Sequence, residues 1–279
     1  LTIVSIGTSA PEIIVSINAA LQGAGELAVG NAIGSNLANI GLVLGITALI
    51  APLPTQRHLL IQEGPLLLLV TFLIGLTLID GQLTPRESVP FLIAVPILIW
   101  VTVRFKKHHP SPEEVESRDE IPTISTPAAA TWLIIGLAVL LASSEALVWG
   151  ATTTARQLGV SELIIGLTIV AIGTSLPELA ASVMSALRGH HDIAIGNVFG
   201  SNLFNLMAVL PIAGVINPKM LGEDVFYRDF LALSLLTLIL YGSIALARRS
   251  GGNRTITRTN GIIFLLLYFG YCLWLIPSI

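Results

Sequence analysis

Long apolar runs, parted by short polar breaks, occupy almost the whole chain. They cover Leu1–Leu21, Leu27–Ile50, Leu59–Ile79, Val89–Val103, Thr131–Ala151, Leu163–Leu187, Ile193–Ile216, Phe230–Ala247 and Gly261–Ile276. Most approach the roughly 20 residues that an α-helix needs to cross a hydrocarbon core of about 30 Å. They are too long and too continuously apolar for the alternating strands of a closed barrel, the other structure that satisfies every backbone polar group in lipid. The pattern predicts an all-α polytopic membrane protein with nine transmembrane helices present.

The polar breaks carry a second regularity. LTIVSIGTSAPEIIVSINAALQG at position 1 aligns with LTIVAIGTSLPELAASVMSALRG at position 167, a shift of 166, and AVGNAIGSNLANIGLVL then aligns with AIGNVFGSNLFNLMAVL without a gap. About half of residues 1–44 are identical to their counterparts, so the chain is a duplication. Thr131–Ala151 precedes the second copy, and its counterpart would lie ahead of Leu1; that first helix is expected to be missing from this chain. Five helices per half is an odd number, which predicts two repeats of inverted topology. The expected organisation is a first repeat over residues 1–106, a linker over 107–130 and a second repeat over 131–279.

Charge is scarce and therefore informative where it occurs. Hydrophobic residues make up 53% and charged residues 11%, against roughly one-quarter charged usage in soluble domains. The net charge of −3 singles out no partner, and no nucleic-acid partner is expected; the lipid bilayer is. With the linker in the cytoplasm, ten of the 14 basic residues fall inside, namely Arg57, Arg104, Lys106, Lys107, Arg118, Arg188, Arg248, Arg249, Arg254 and Arg258. Only Arg86, Arg156, Lys219 and Arg228 fall outside, so the positive-inside rule favours this orientation, with the C-terminus outside. The linker is polar, Pro-rich and short, a solvated connection. His108, His109, His190 and His191 read as loop residues rather than a metal site. Cys272 is alone, which excludes an intrachain disulfide, and the opening LTIVSIG shows no signal peptide.

The repeated GTSAPE and GTSLPE place an acid directly after a proline inside an apolar run. One reading is a capping box, with Ser9 as N-cap, Glu12 three residues on and Pro11 in the first turn. A helix N-terminus belongs at a membrane surface, however, and Glu178 lies near the middle of Leu163–Leu187, so the helix is expected to break at mid-bilayer. Such a break frees carbonyls around Ala171–Thr174, and around Ser5–Thr8 in the first half, which is tolerated only where they line a cavity or bind something. Gly7 and Gly173 ease it. An ionisable group at that depth costs a few kcal/mol or more and is normally functional. No Lys or Arg stands at comparable depth in these predicted helices, so the partner expected for Glu12 and Glu178 is a cation from solution.

The following helices supply neutral oxygens. Asn31, Ser35 and Asn39 fall at i, i+4 and i+8, on one helical face, and Asn197, Ser201 and Asn205 repeat the pattern. The GxxxG pairs Gly30/Gly34 and Gly196/Gly200 alternatively mark close helix packing; both roles are compatible. Carboxylate, hydroxyl and amide oxygens suit Ca²⁺, Mg²⁺ or Na⁺, and two glutamates with flexible coordination favour Ca²⁺.

At these residues the sequence resembles the cation/Ca²⁺ exchanger superfamily, and within it the sodium/calcium exchangers of bacteria and archaea. GTSAPE with GNAIGSNLANIG, and GTSLPE with GNVFGSNLFNLM, carry the resemblance, which extends over essentially the whole chain. It implies a ten-helix inverted repeat in the cell (inner) membrane, in which Na⁺ entry drives Ca²⁺ out by alternating access. Ca²⁺ and Na⁺ are then cargo, with no cofactor and no enzymatic activity. Position by position it implies that Glu12 and Glu178 bind Ca²⁺, that Thr8 and Thr174 contribute backbone carbonyls, and that Ser9, Ser35, Ser175 and Ser201 help hold Na⁺. Asn39 and Asn205 fall where the family has its central polar residue, and some relatives carry Asp at one of them. Ser5 stands opposite Ala171, adding a hydroxyl near one outer Na⁺ position. A Ca²⁺/H⁺ antiporter of the same superfamily and a passive cation channel are the alternatives; the Thr-Ser-Pro form in both halves and the paired breaks favour the exchanger. Glu145 lies off both motifs and reads as a packing or peripheral residue.

Overall fold

The computed structural model describes residues 7–108, 125–218, 220–246, 249–250 and 253–276. Among them nine helical segments follow in order: α1 (Ala10–Leu21), α2 (Gly25–Ile50), α3 (Leu59–Leu78), α4 (Pro85–His108), α5 (Thr126–Gln157), α6 (Glu162–Leu187), α7 (His191–Ile216), α8 (Val225–Leu246) and α9 (Arg258–Leu275). Six of these, α2, α3, α6, α7, α8 and α9, are long and apolar enough to cross a membrane. The chain is thus an integral membrane protein by the length and composition of its helices. Ser5 and residues 109–124, most of the linker, lie outside the described residues.

The duplication in sequence is a duplication in structure. Ala10–Leu21 recurs as Leu176–Leu187 and Gly25–Ala38 as His191–Phe204, each 166 residues on. Both short helices end at a glycine in the left-handed region, Gly23 at φ 81° and Gly189 at φ 80°, where a side chain would be strained. Wider π-helical turns also recur at that spacing, Asn39–Leu44 with Asn205–Val209 and Leu59–Glu63 with Val225–Phe230.

α2 and α7 form the centre and are buried along most of their length. Glycines set how near α2 comes to its neighbours. A Cβ at Gly34 would lie 2.5 Å from the carbonyl oxygen of Leu167, and one at Gly166 the same distance from that of Leu27. The GxxxG pair Gly30/Gly34 therefore does pack backbone against backbone, and its partner is the first part of α6. On the other side of α2, Gly41 leaves room for Tyr268 of α9.

Two features depart from the expected elements. A small antiparallel sheet, β1 (Leu53–Thr55), β2 (Arg249–Ser250) and β3 (Asn253–Ile256) in the order β1-β3-β2, pairs Leu53 with Ile256. It ties the α2–α3 connection to the α8–α9 connection. A bridge between Gln82 and Met220, with the Leu221 N–H donating to Gly81 O at 2.7 Å, ties the α3–α4 connection to that between α7 and α8.

The other departure is at α8, which starts at Val225 rather than Phe230 and so takes Arg228 and Asp229 into the helix. Arg228 was expected in an external loop; it is buried, its Nε 2.7 Å from Asp229 Oδ1, with Nη1 3.2 Å from exposed Asp224. Tyr271 of α9 donates to the same Asp229 oxygen at 2.9 Å. The apolar run alone begins later because this polar turn is paid for by pairing.

Asp229→Ala removes the buried carboxylate that faces the Arg228 guanidinium. It is expected to destabilise the protein by about 3 kcal/mol, read as a lower melting temperature in detergent, whereas Asp229→Asn keeps an acceptor and costs less. Equal melting temperatures for wild type and Asp229→Ala would show that this network contributes nothing.

Candidate cation-binding site

Helical geometry is interrupted at Ser9, with φ −85° and ψ 6°, and at Ser175, with φ −83° and ψ 1°. Pro11 and Pro177 follow within the first turn of the resumed helices. Having no N–H, neither can carry the i to i−4 ladder across the break. The break is tighter than expected, since the Ser175 N–H still donates to Ala171 O at 3.1 Å, so the Ala171 carbonyl is not released.

The capping-box reading is overturned. Neither Ser9 nor Ser175 makes a side-chain cap bond. Ser9 Oγ instead reaches across the repeats, 3.0 Å from Glu178 Oε1 and 3.1 Å from Ser201 Oγ, and Ser201 Oγ is 3.3 Å from the same carboxylate oxygen. The first break and the second glutamate thus belong to one site.

Asn31 and Asn197 assemble it. Asn31 Nδ2 donates to the Glu12 carbonyl at 3.2 Å and to Ser16 Oγ at 3.0 Å. Asn197 Nδ2 does the same for the Glu178 carbonyl at 3.5 Å and Ser182 Oγ at 3.2 Å. Each amide thereby holds the glutamate backbone of its own half while its oxygen accepts from the other half. Thr174 Oγ1 donates to Asn31 Oδ1 at 3.2 Å, and Thr8 Oγ1 to Asn197 Oδ1 at 3.5 Å. Ser35 Oγ lies 3.3 Å from Thr174 Oγ1. Ser16 and Ser182 were missed, although their sequence signal is plain: a serine four residues after the glutamate in both repeats.

Thr8, Ser9, Glu12, Ser35, Asn39, Thr174, Ser175, Glu178, Ser201 and Asn205 are all buried, Glu12 and Glu178 to 0% exposure. Ala171, also buried, faces Gly34 in the α2–α6 contact, while Ser5 and the side chain of Glu145 lie outside the described residues. Both carboxylate oxygens of Glu12, one of Glu178, and the amide O and N of Asn39 and Asn205 find no hydrogen-bond partner among the described residues. The two asparagines stand at the first residue of their π-helical turns. Leaving a carboxylate buried and unpaired costs several kcal/mol. A small cation with oxygen ligands repairs that deficit, and the donor set of carboxylates, hydroxyls and amides is of the hard type.

A sequence model of the family described as sodium/calcium exchanger protein matches residues 1–103 and 128–276. CaxA of Alkalimonas amylolytica is 46% identical over 275 residues, covering 97% of this chain and 85% of that protein. The inner membrane protein YrbG of Escherichia coli (strain K12) is 36% identical over 280 residues, covering 99% and 84%. Among solved structures, the sodium-calcium exchanger NCX_Mj soaked with 100 mM Na⁺ and 10 mM Sr²⁺ is similar at a TM-score of 0.77 and 33% identity, covering 99% of this chain and 84% of that one.

The Asn31–Thr174 bond spans the α2–α6 contact, so this close approach helps hold the site together. Gly34→Ala puts a methyl group against backbone that cannot yield. It is expected to abolish the Ca²⁺-dependent stabilisation expected of the wild type, about 2.7 kcal/mol at a hundredfold excess over the dissociation constant, read as a rise in melting temperature. Gly136→Ala, where a Cβ meets nothing within 4 Å, is expected to keep it. Full Ca²⁺ stabilisation of Gly34→Ala would show that the close approach is not needed.

Proposed function

The chain belongs to the sodium/calcium exchanger protein family, and on that premise we propose that it exchanges Na⁺ for Ca²⁺ across the membrane by alternating access. The observation that carries the reading is the meeting of two fully buried carboxylates from two matched helix breaks, joined by the 3.0 Å contact of Ser9 with Glu178 and lacking any protein cation among the described residues. Glu12 and Glu178 supply the ligand charge for Ca²⁺. Ser9, Ser35, Ser175, Ser201, Thr8 and Thr174 add neutral oxygens for either ion, and Asn39 and Asn205 add amides between the two glutamates. Ca²⁺ and Na⁺ are cargo; the transport cycle requires no resident cofactor and no chemical step.

The two repeats, 1–106 and 131–279, insert with opposite topology. The loop pairings support this arrangement: successive helices alternate in direction, and the sheet and the Gln82–Met220 bridge join connections that such alternation puts on the same face. The excess of Lys and Arg near the linker then places residues 107–130 in the cytoplasm and the C-terminus outside, in the cell membrane of a bacterium or archaeon.

Flux of labelled Ca²⁺ into vesicles carrying the full-length protein, with Na⁺, K⁺ or H⁺ gradients imposed in turn, tests the reading. Uptake that follows the Na⁺ gradient is expected. Uptake that follows a proton gradient and ignores Na⁺ would assign the protein to Ca²⁺/H⁺ antiport, and uptake with no opposing gradient would make it a channel.

Glu12→Gln or Glu178→Gln is expected to abolish Ca²⁺ flux, by at least 100-fold at about 3 kcal/mol for a lost buried charge partner, while the protein still inserts. Near-normal exchange by either purified variant would remove the central claim. Protons compete with Ca²⁺ for these oxygens, so falling pH is expected to weaken apparent Ca²⁺ affinity at constant maximal rate, checked by initial rates across Ca²⁺ concentration at each pH.

A further inference from the structure

Away from the cation site, positive charge gathers on the small sheet. Arg254 stands in its central strand β3, with Arg249 of β2 directly opposite on one side and Thr55 of β1 on the other. Like charges placed directly opposite in a ladder repel. Arg57, two residues beyond Thr55, continues β1 past the pairing with Arg254 and is exposed. Among the described residues the Arg254 guanidinium makes one hydrogen bond, from Nη1 to the Ile244 carbonyl at 3.1 Å. That bond meets the partial negative end of α8 and leaves the other guanidinium donors unused. Two acids lie in adjoining elements, and neither forms an ion pair with Arg57 or Arg254. Glu63 faces His58 at 3.7 Å, and Asp192 is buried in the first turn of α7, which packs against β1.

The position of the sheet selects the ligand. It joins the ends of α2 and α8 to the starts of α3 and α9, so it lies where four apolar spans leave the hydrocarbon. Leu246, three residues before Arg249 at the end of α8, is 86% exposed, and Ile61, at the start of α3, is 53% exposed. Basic groups bordered by bare apolar side chains match a molecule that carries phosphate at one end and hydrocarbon at the other. A soluble phosphate would answer the charge and leave Leu246 and Ile61 uncovered. We propose that the sheet binds the headgroup of an anionic phospholipid at Arg57, Arg249 and Arg254. The headgroup relieves the repulsion across β2 and β3, and it tightens the tie between the α2–α3 and α8–α9 connections, which belong to different repeats. The site does not depend on which ions the protein exchanges.

Full-length protein in micelles of a neutral detergent, titrated with dioleoyl phosphatidylglycerol, is expected to show a saturable rise in melting temperature. Dioleoyl phosphatidylcholine, whose choline answers its own phosphate, and glycerol phosphate, which has no chains, are each expected to give less than half that rise at equal concentration. Arg57→Gln and Arg249→Gln are each expected to move the midpoint of the titration about fivefold to higher lipid, the contribution of one basic group at an anionic surface, and the double variant about 25-fold. Arg86→Gln, exposed at the start of α4 beyond the far end of α3, is expected to leave the midpoint unchanged. In phosphatidylcholine alone Arg249→Gln is expected to melt no lower than wild type, because it removes a like-charge neighbour. That separates lost lipid binding from a damaged fold. An equal rise with phosphatidylcholine or with glycerol phosphate, an unmoved midpoint in the double variant, an equal shift in Arg86→Gln, or a lower melting temperature of Arg249→Gln in phosphatidylcholine would each overturn the inference.

Discussion

Two carboxylates buried together without a protein cation are the constraint around which this fold is arranged. Each glutamate alone would be costly at mid-membrane, and bringing both to one place compounds the cost by repulsion. The surrounding groups are what such a pair requires: hydroxyls that donate to a carboxylate oxygen, amides that fix backbone, and no basic side chain among the described residues that would occupy the site permanently. A lysine there would stabilise the protein and close the site to ions. Marginal stability without a cation is the condition for binding one reversibly.

The helix breaks follow from the same constraint. A continuous helix would carry Glu12 or Glu178 past its partners, since successive side chains rotate by about 100°. Interrupting the ladder at Ser9 and Ser175 lets Ser9 leave its own helix and face the opposite glutamate. Asn31 and Asn197 then hold the resumed helices by the backbone of the glutamates themselves. Gly30, Gly34 and Gly166 bring α2 near enough to α6 for these short polar groups to meet. Packing and polarity thus cooperate: the glycines that look like a packing motif are also what makes the ligand set reach.

Much of this was legible in the sequence because duplication printed it twice. The breaks, the two acids, and the face formed by Asn31, Ser35 and Asn39 all recur 166 residues on, and local composition fixes each. What failed depends on distance in the chain. Ser9 has the ideal sequence of an N-cap, yet its hydroxyl goes to Glu178, 169 residues away, and no local pattern reveals that preference. Strands of two to four residues in polar connections are too short to show a period, and their pairing joins loops about 200 residues apart. Arg228 and Asp229 read as loop because their mutual pairing, with Tyr271 beside it, is what permits burial.

The two halves share these residue types but not one arrangement. The Ser9 hydroxyl contacts Glu178 and Ser201, while the hydroxyl of Ser175, its counterpart, and the carboxylate of Glu12 find no hydrogen-bond partner among the described residues. Because Ser175, Glu12 and Ser35 repeat Ser9, Glu178 and Ser201 in kind, the exchanged set of contacts is chemically available to the same chain. Such an exchanged set would differ only in which half makes the contacts, so the unlike residues around it would set the difference in free energy. A bound ion then needs only a small difference in affinity to shift the population from one to the other. Duplication therefore does more than double a motif: it places on both sides of one site the residue types for the same set of contacts.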